Sequence, residues 1–168
     1  MVRQKDFYDG AIPSGNSVAM MALLRLARIT GDTSLEEKAS RMIAAFPPQT
    51  ASYPSGFTRF LSAMDFALGP SAEIVLAGDK KDAGVQEALR LLREKFLPNQ
   101  VVLLRPADAP AALLKLAPFL EPLRPHGGKS TFYVCRAQRC EFPTNDPEKM
   151  IQLAQASKKA SSTGKSVL

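Results

Sequence analysis

Asp9-Gly-Ala-Ile-Pro-Ser-Gly-Asn-Ser-Val-Ala19 runs straight into Met20-Met-Ala-Leu-Leu-Arg-Leu-Ala-Arg-Ile-Thr-Gly-Asp32, and this stretch decides how the first half of the chain is read. A polar, turn-forming lead-in meets a helix whose apolar run from Val18 to Ile29 is broken only by Arg25 and Arg28. A helix at the surface of a globular protein shows a wide polar face, so this one is expected to be an inner helix with neighbours on every side. Gly31 is a natural stop. Thr33-Ser-Leu-Glu36 has the form of a capping box, in which hydroxyl and carboxylate each satisfy a backbone N–H of the first turn. The next helix runs until Pro47-Pro48 forbids continuation. The two make an antiparallel hairpin, residues 15–30 and 34–46. A third helix fits 55–68, with Phe57, Phe60, Leu61, Met64 and Leu68 on one apolar stripe, and Gly69-Pro70 ends it.

Beyond residue 70 the period changes. Glu73-Ile-Val-Leu-Ala77, Val101-Val-Leu-Leu104 and Thr131-Phe-Tyr-Val-Cys135 are short strand-like runs. The first two are separated by a helix with Val85, Ala88, Leu89, Leu92 and Phe96 on one face, which implies a parallel pair. An irregular helix fits 108–120, bent or ended at Pro118. Asp146-Pro147 opens a last helix, as N-cap and first-turn proline. The fold class expected is mixed α and β: a helical segment over 1–69, then a small βαβαβα unit over 70–156 with about three parallel strands. Residues 157–168, small, polar and basic, are expected to form a mobile tail.

At 168 residues, 45% hydrophobic and 23% charged, the chain can bury one sizeable core. Neither a membrane span nor a signal peptide is legible, and a cytoplasmic protein is expected. Most of the net charge of +6 comes from the second half: residues 1–69 carry 7 Lys and Arg against 6 Asp and Glu, residues 70–168 carry 15 against 10. These cations are scattered and lack interleaved aromatic residues, which argues against a nucleic-acid surface.

Three motifs bear on chemistry. Gly127-Gly-Lys-Ser-Thr131 imitates part of a phosphate-binding loop, but position 123 is Leu where that loop needs glycine, and Thr131 to Cys135 reads as a strand where the loop needs a helix. Cys135 and Cys140, the only cysteines, leave three readings open. They could hold metal with His126 and Glu141, although structural zinc wants about four ligands. They could be a redox pair, with Arg136 and Arg139 favouring thiolates. They could be two unreactive thiols at a strand end. The third motif is the helix start at Ser14–Ser17, where hydroxyl and amide groups either cap the first turn or hold an anion or sugar hydroxyls. With Asp9 just upstream, Asp9, Ser14, Asn16 and Ser17 are the candidate ligand-binding residues. A lone carboxylate is no acid–base pair, so catalytic residues stay unassigned.

The stretch Asp9–Ala19, the strand Glu73-Ile-Val-Leu-Ala-Gly78, and Phe132-Tyr-Val-Cys135 with Cys140, Pro143, Thr144, Asp146 and Pro147 resemble the C-terminal part of the YyaL-like proteins, the thioredoxin-domain-containing relatives of a spermatogenesis-associated protein. The resemblance implies a longer parent, with an N-terminal thioredoxin-like domain and an α/α toroid similar to six-hairpin glycosidases and N-acylglucosamine epimerases. This chain would then be a fragment holding the last toroid helices and the C-terminal α/β unit. It would not be catalytic alone, and it would self-associate or pack against the missing parts. No cofactor or metal is implied. The function expected is binding or processing of a carbohydrate-like ligand by the parent. The alternative is a non-catalytic redox or scaffold protein in which this portion supplies assembly or client contacts.

Overall fold

The computed structural model describes residues 6–137 and 139–156; the tail expected over 157–168 lies outside them. Helices α1 (Gly15–Thr30) and α2 (Thr33–Ala44) form the expected hairpin, followed by a single turn, α3 (Gln49–Ser52), and by α4 (Thr58–Leu68). Then come β1 (Ala72–Ala77), α5 (Ala83–Arg93), β2 (Gln100–Arg105), α6 (Ala111–Leu116), β3 (Thr131–Arg136), β4 (Arg139–Cys140) and α7 (Pro147–Gln155). The strands form one sheet in the order β2-β1-β3-β4.

All six residues of β1 are buried, because this central strand is covered on both faces. That accounts for a continuous apolar run in place of alternation. Val75 and Ala77 face a core shared with α1, α4 and the segment around Leu120; Ile74 and Leu76 face a second core under α5 and α7. The helices of the first half and the sheet of the second therefore share a core.

The expected set of parallel strands is corrected by the pairing. β1 and β2 are parallel, as the intervening helix required, but β3 runs antiparallel to β1, and β4 antiparallel to β3. The reason lies in the second connection. The connection from Arg105 to Thr131 carries α6, only six residues and about 9 Å long, and no strand-length helix of the kind that makes a parallel crossover. Pro118 then stops α6, and the chain re-enters the sheet at the end where it left. Ala77 at the end of β1 pairs with Arg105, the last residue of β2, and with Thr131, the first of β3. Buried Arg105 fixes this reversal by donating to the carbonyls of Pro106 and Ala107 at 2.6 and 2.9 Å.

Three local expectations also change. Asp32, one residue ahead of the supposed capping box, caps α2 by accepting from Ser34 N at 2.9 Å, which leaves Glu36 to bond Arg28 at 3.3 Å. A carboxylate nearer the helix start is the better acceptor there. Leu68 and Phe96 leave their stripes and are exposed, since α4 ends at Leu68 and α5 at Arg93. The face of α1 carrying Val18, Ala22 and Leu26 is open rather than enclosed. Its two arginines also reach neighbours: Arg28 approaches buried Glu73 of β1 at 3.7 Å, and Arg25 lies over the Phe66 ring.

Candidate functional site

The lead-in to α1 is pinned at Asp9, which is 4% exposed. Its backbone N–H donates to Gly56 O at 2.7 Å. One carboxylate oxygen accepts from Ser14 N at 2.8 Å, the other from Phe60 N at 3.0 Å. A single side chain thus joins the start of α1 to the first turn of α4. Burial pushes the Asp9 carboxyl upward, but the Phe60 and Ser14 N–H groups outweigh it and hold the group below the ordinary carboxylate value. Ser14 is the N-cap of α1: its hydroxyl accepts from Ser17 N at 3.1 Å and donates to Ser17 Oγ at 2.8 Å.

Three of the four candidate residues, Asp9, Ser14 and Ser17, therefore form one buried knot whose polar groups bond one another and the backbone. Asn16 is placed apart. Its amide donates to Asp6 O at 2.7 Å and borders a cleft of about 720 Å³ between the start of α1 and the last turns of α2. Phe7 and Phe46 form an apolar wall there, ring centres 4.9 Å apart and edge to face, and Lys38 and Arg41 line the other side. Gly15 opens onto unfilled space at the helix start. Sequence reasoning missed Phe7, Phe46, Lys38 and Arg41. The signal was present: Lys38, Arg41, Met42 and Ala45 repeat at i, i+3, i+4 and i+7, one face of α2.

On the opposite side of the same lead-in, the Tyr8 and Tyr53 rings lie parallel at 6.4 Å, half-exposed and crossing Gly56, where any side chain would run into both rings. The neighbouring Tyr53 hydroxyl holds the Tyr8 phenol above its usual value.

Cys135 and Cys140 face each other across β3 and β4 and are joined by a disulfide, their Cα atoms 3.8 Å apart. Cys135 is fully buried and Cys140 exposed. Of the two supposed metal helpers, Glu141, next to Cys140, pairs with Arg136 at 3.8 Å, and His126 packs beside Tyr133. Gly127 and Gly128 take positive φ angles in the turn that leads into β3, and no helix comes after them there, in keeping with the rejection of a phosphate loop. Among the described residues no helix is long and apolar enough to cross a membrane.

No protein-family model matches the chain, and no solved structure matches it. Curated relatives do. Over 152 residues, 90% of this chain, it is 31% identical to spermatogenesis-associated protein 20 of Homo sapiens and 30% identical to that of Rattus norvegicus. An uncharacterized protein of Caenorhabditis elegans is 26% identical over the same length. The chain spans about a fifth of these relatives, 19% of the human protein. Over that span it is similar to spermatogenesis-associated protein 20, in line with the resemblance its motifs carry.

Proposed function

We propose that the chain is the C-terminal portion of a YyaL-like protein whose toroid-type helical body binds a carbohydrate-like ligand, and that the α1 start supplies part of the binding surface. The observation carrying this reading is the cleft beside Asn16. Its volume of about 720 Å³ falls within the range of small-molecule sites, roughly 300–1,000 Å³. It combines an aromatic wall at Phe7 and Phe46 with an amide and two cations, the mixture of apolar face and convergent polar groups that a sugar ring requires. The buried knot of Asp9, Ser14 and Ser17 serves this site by fixing the helix start against α4. Self-association belongs to the same reading: the open face of α1 at Val18, Ala22 and Leu26 is a surface for the rest of the parent or, without it, for a second chain.

The test is titration of the chain with N-acetylglucosamine and glucose, followed by amide NMR shifts, for wild type and Asn16→Ala. Saturable shifts around residues 15–19 and 38–46, weakened in Asn16→Ala, support the site. Absence of shifts there, or equal binding by both proteins, overturns it. Light scattering that shows a monomer at all concentrations overturns the self-association reading alone.

A further inference from the structure

The Cys135–Cys140 bridge lies outside the cleft and has a layout that structural stabilisation does not call for. It closes a sequence separation of five, so it restrains the unfolded chain far less than a bridge over a long loop. The strand it would secure is already secured. Glu141 N donates to Val134 O at 2.9 Å, and beyond it Phe132 and Thr144 exchange both backbone bonds, at 2.7 and 3.1 Å. On its other edge β3 is paired with β1 from Thr131 to Cys135. Backbone hydrogen bonds thus hold the returning chain beyond the disulfide, which spans the edge of the sheet next to the turn at Ala137.

The two sulfurs differ in the way thiol chemistry requires. Cys140 belongs to an exposed two-residue strand, next to the exposed Arg139, which has no ion-pair partner among the described residues. Cys135 is fully buried, opposite Glu73 in the β1–β3 register. A thiolate must approach in line with the S–S bond, and of the two residues only Cys140 is exposed to solvent. When the dithiol is formed, Cys140 is the residue that solvent reaches, and Cys135 stays enclosed in the sheet.

We propose that Cys135–Cys140 is a thiol–disulfide exchange site in which Cys140 is the attacked sulfur and Cys135 the resolving one, its reaction partner being a low-molecular-weight or protein thiol. In reduction, the partner thiolate attacks Cys140 Sγ, a new S–S bond forms, and the Cys135–Cys140 bond breaks with its electron pair on Cys135 Sγ, which takes a proton from water. A second partner thiolate attacks the sulfur of the first, releases the partner as its disulfide and leaves Cys140 as thiolate. Two electrons pass from two thiols to the bridge. In the reverse sense Cys140 thiolate attacks a partner disulfide and Cys135 resolves the adduct. This goes beyond the ligand reading of the α1 cleft and does not depend on it.

The test uses the whole chain and glutathione. The oxidised wild type is treated with millimolar reduced glutathione in native buffer, and free thiols are alkylated and located by mass spectrometry; circular dichroism follows folding throughout. In parallel, Cys135→Ser and Cys140→Ser are exposed to oxidised glutathione. The expected results are reduction of the bridge while the chain stays folded, a stable glutathione adduct on Cys140 in Cys135→Ser, and adduct formation at Cys135 in Cys140→Ser that is slower by roughly tenfold or more. A bridge that opens only when the chain unfolds, or equal rates in the two variants, overturns the proposal. The wild-type measurement stands even where a variant folds poorly.

Discussion

The α1 start and the β3–β4 edge were the two places where the sequence concentrated chemistry, and the structure organises them in opposite ways. At the α1 start the polar side chains turn inward. Asp9 carries two N–H groups from two helices, and Ser14 and Ser17 satisfy each other, so the motif is spent on joining α1 to α4. At the β3–β4 edge one cysteine residue is buried and the other exposed, and backbone bonds hold the strand on either side of them. Dense polarity in a sequence can therefore mark a structural joint, while on the exchange proposal a sparse pair of cysteines marks a reactive place. The contrast predicts that changes at the joint cost more stability than changes at the edge.

Asp9→Ala is the largest effect expected. It strips acceptors from the N–H groups of Ser14 and Phe60, and hydrogen bonds to a charged group contribute about 1.5–3 kcal/mol each. A loss of about 3 kcal/mol or more should appear in urea unfolding, with Asp9→Asn intermediate because one acceptor oxygen remains. A loss below about 1 kcal/mol for Asp9→Ala would show that water replaces both bonds and would remove the distinction between the two regions. Reduction of the disulfide comes second. A loop this short contributes at most about 2 kcal/mol by chain entropy, and the expected outcome is a modest fall in unfolding midpoint with an unchanged circular dichroism spectrum.

Much of the fold was legible, and the parts that were not have identifiable causes. Helix ends marked by Gly31 and Asp146 fell where cap chemistry placed them, because those residues act locally, whereas α2 stops at Ala44, short of the end expected at 46. β1 and β2 were legible as parallel because a helix stands between them. The direction of β3 was not, since the short α6 before it does not by itself show at which end of the sheet the chain re-enters. Asp9 was recognised as important, but its role was set by Phe60, 51 positions away, a partner that periodicity could not name. The cleft was missed because its wall comes from Phe7 and Phe46 and its cations from α2, each of which is ordinary as a local pattern.

Acid sharpens the comparison further. The Asp9 carboxyl is held below its ordinary value in the folded chain, so its stabilising contribution is present above the unfolded value, about 3.9. It is lost as pH falls through that value toward the folded one. Stability should decline in this window for wild type and decline less steeply for Asp9→Asn, which cannot take up the proton. Parallel curves would place the acid sensitivity elsewhere, Asp32 being the next group to examine because hydrogen bonds from Ser34 lower it as well.

The smallest expected effect on stability separates the joint from the cleft beside it. Asn16 is next but one to Ser14, yet it caps nothing: its amide donates to the exposed Asp6 carbonyl, and Ser14 already serves as N-cap. A surface substitution away from caps and buried networks changes stability by no more than about 0.5 kcal/mol, so Asn16→Ala should unfold at nearly the wild-type denaturant concentration. On the proposed reading the same change removes a hydrogen-bonding group from the cleft wall, so sugar-induced NMR shifts should weaken while the fold is untouched. The combination is diagnostic because Asp9→Ala should behave in the reverse sense, unfolding early before any binding can be scored. If Asn16→Ala instead costs as much stability as Asp9→Ala, the amide belongs to the joint, and the cleft loses the one residue by which the sequence pointed to it.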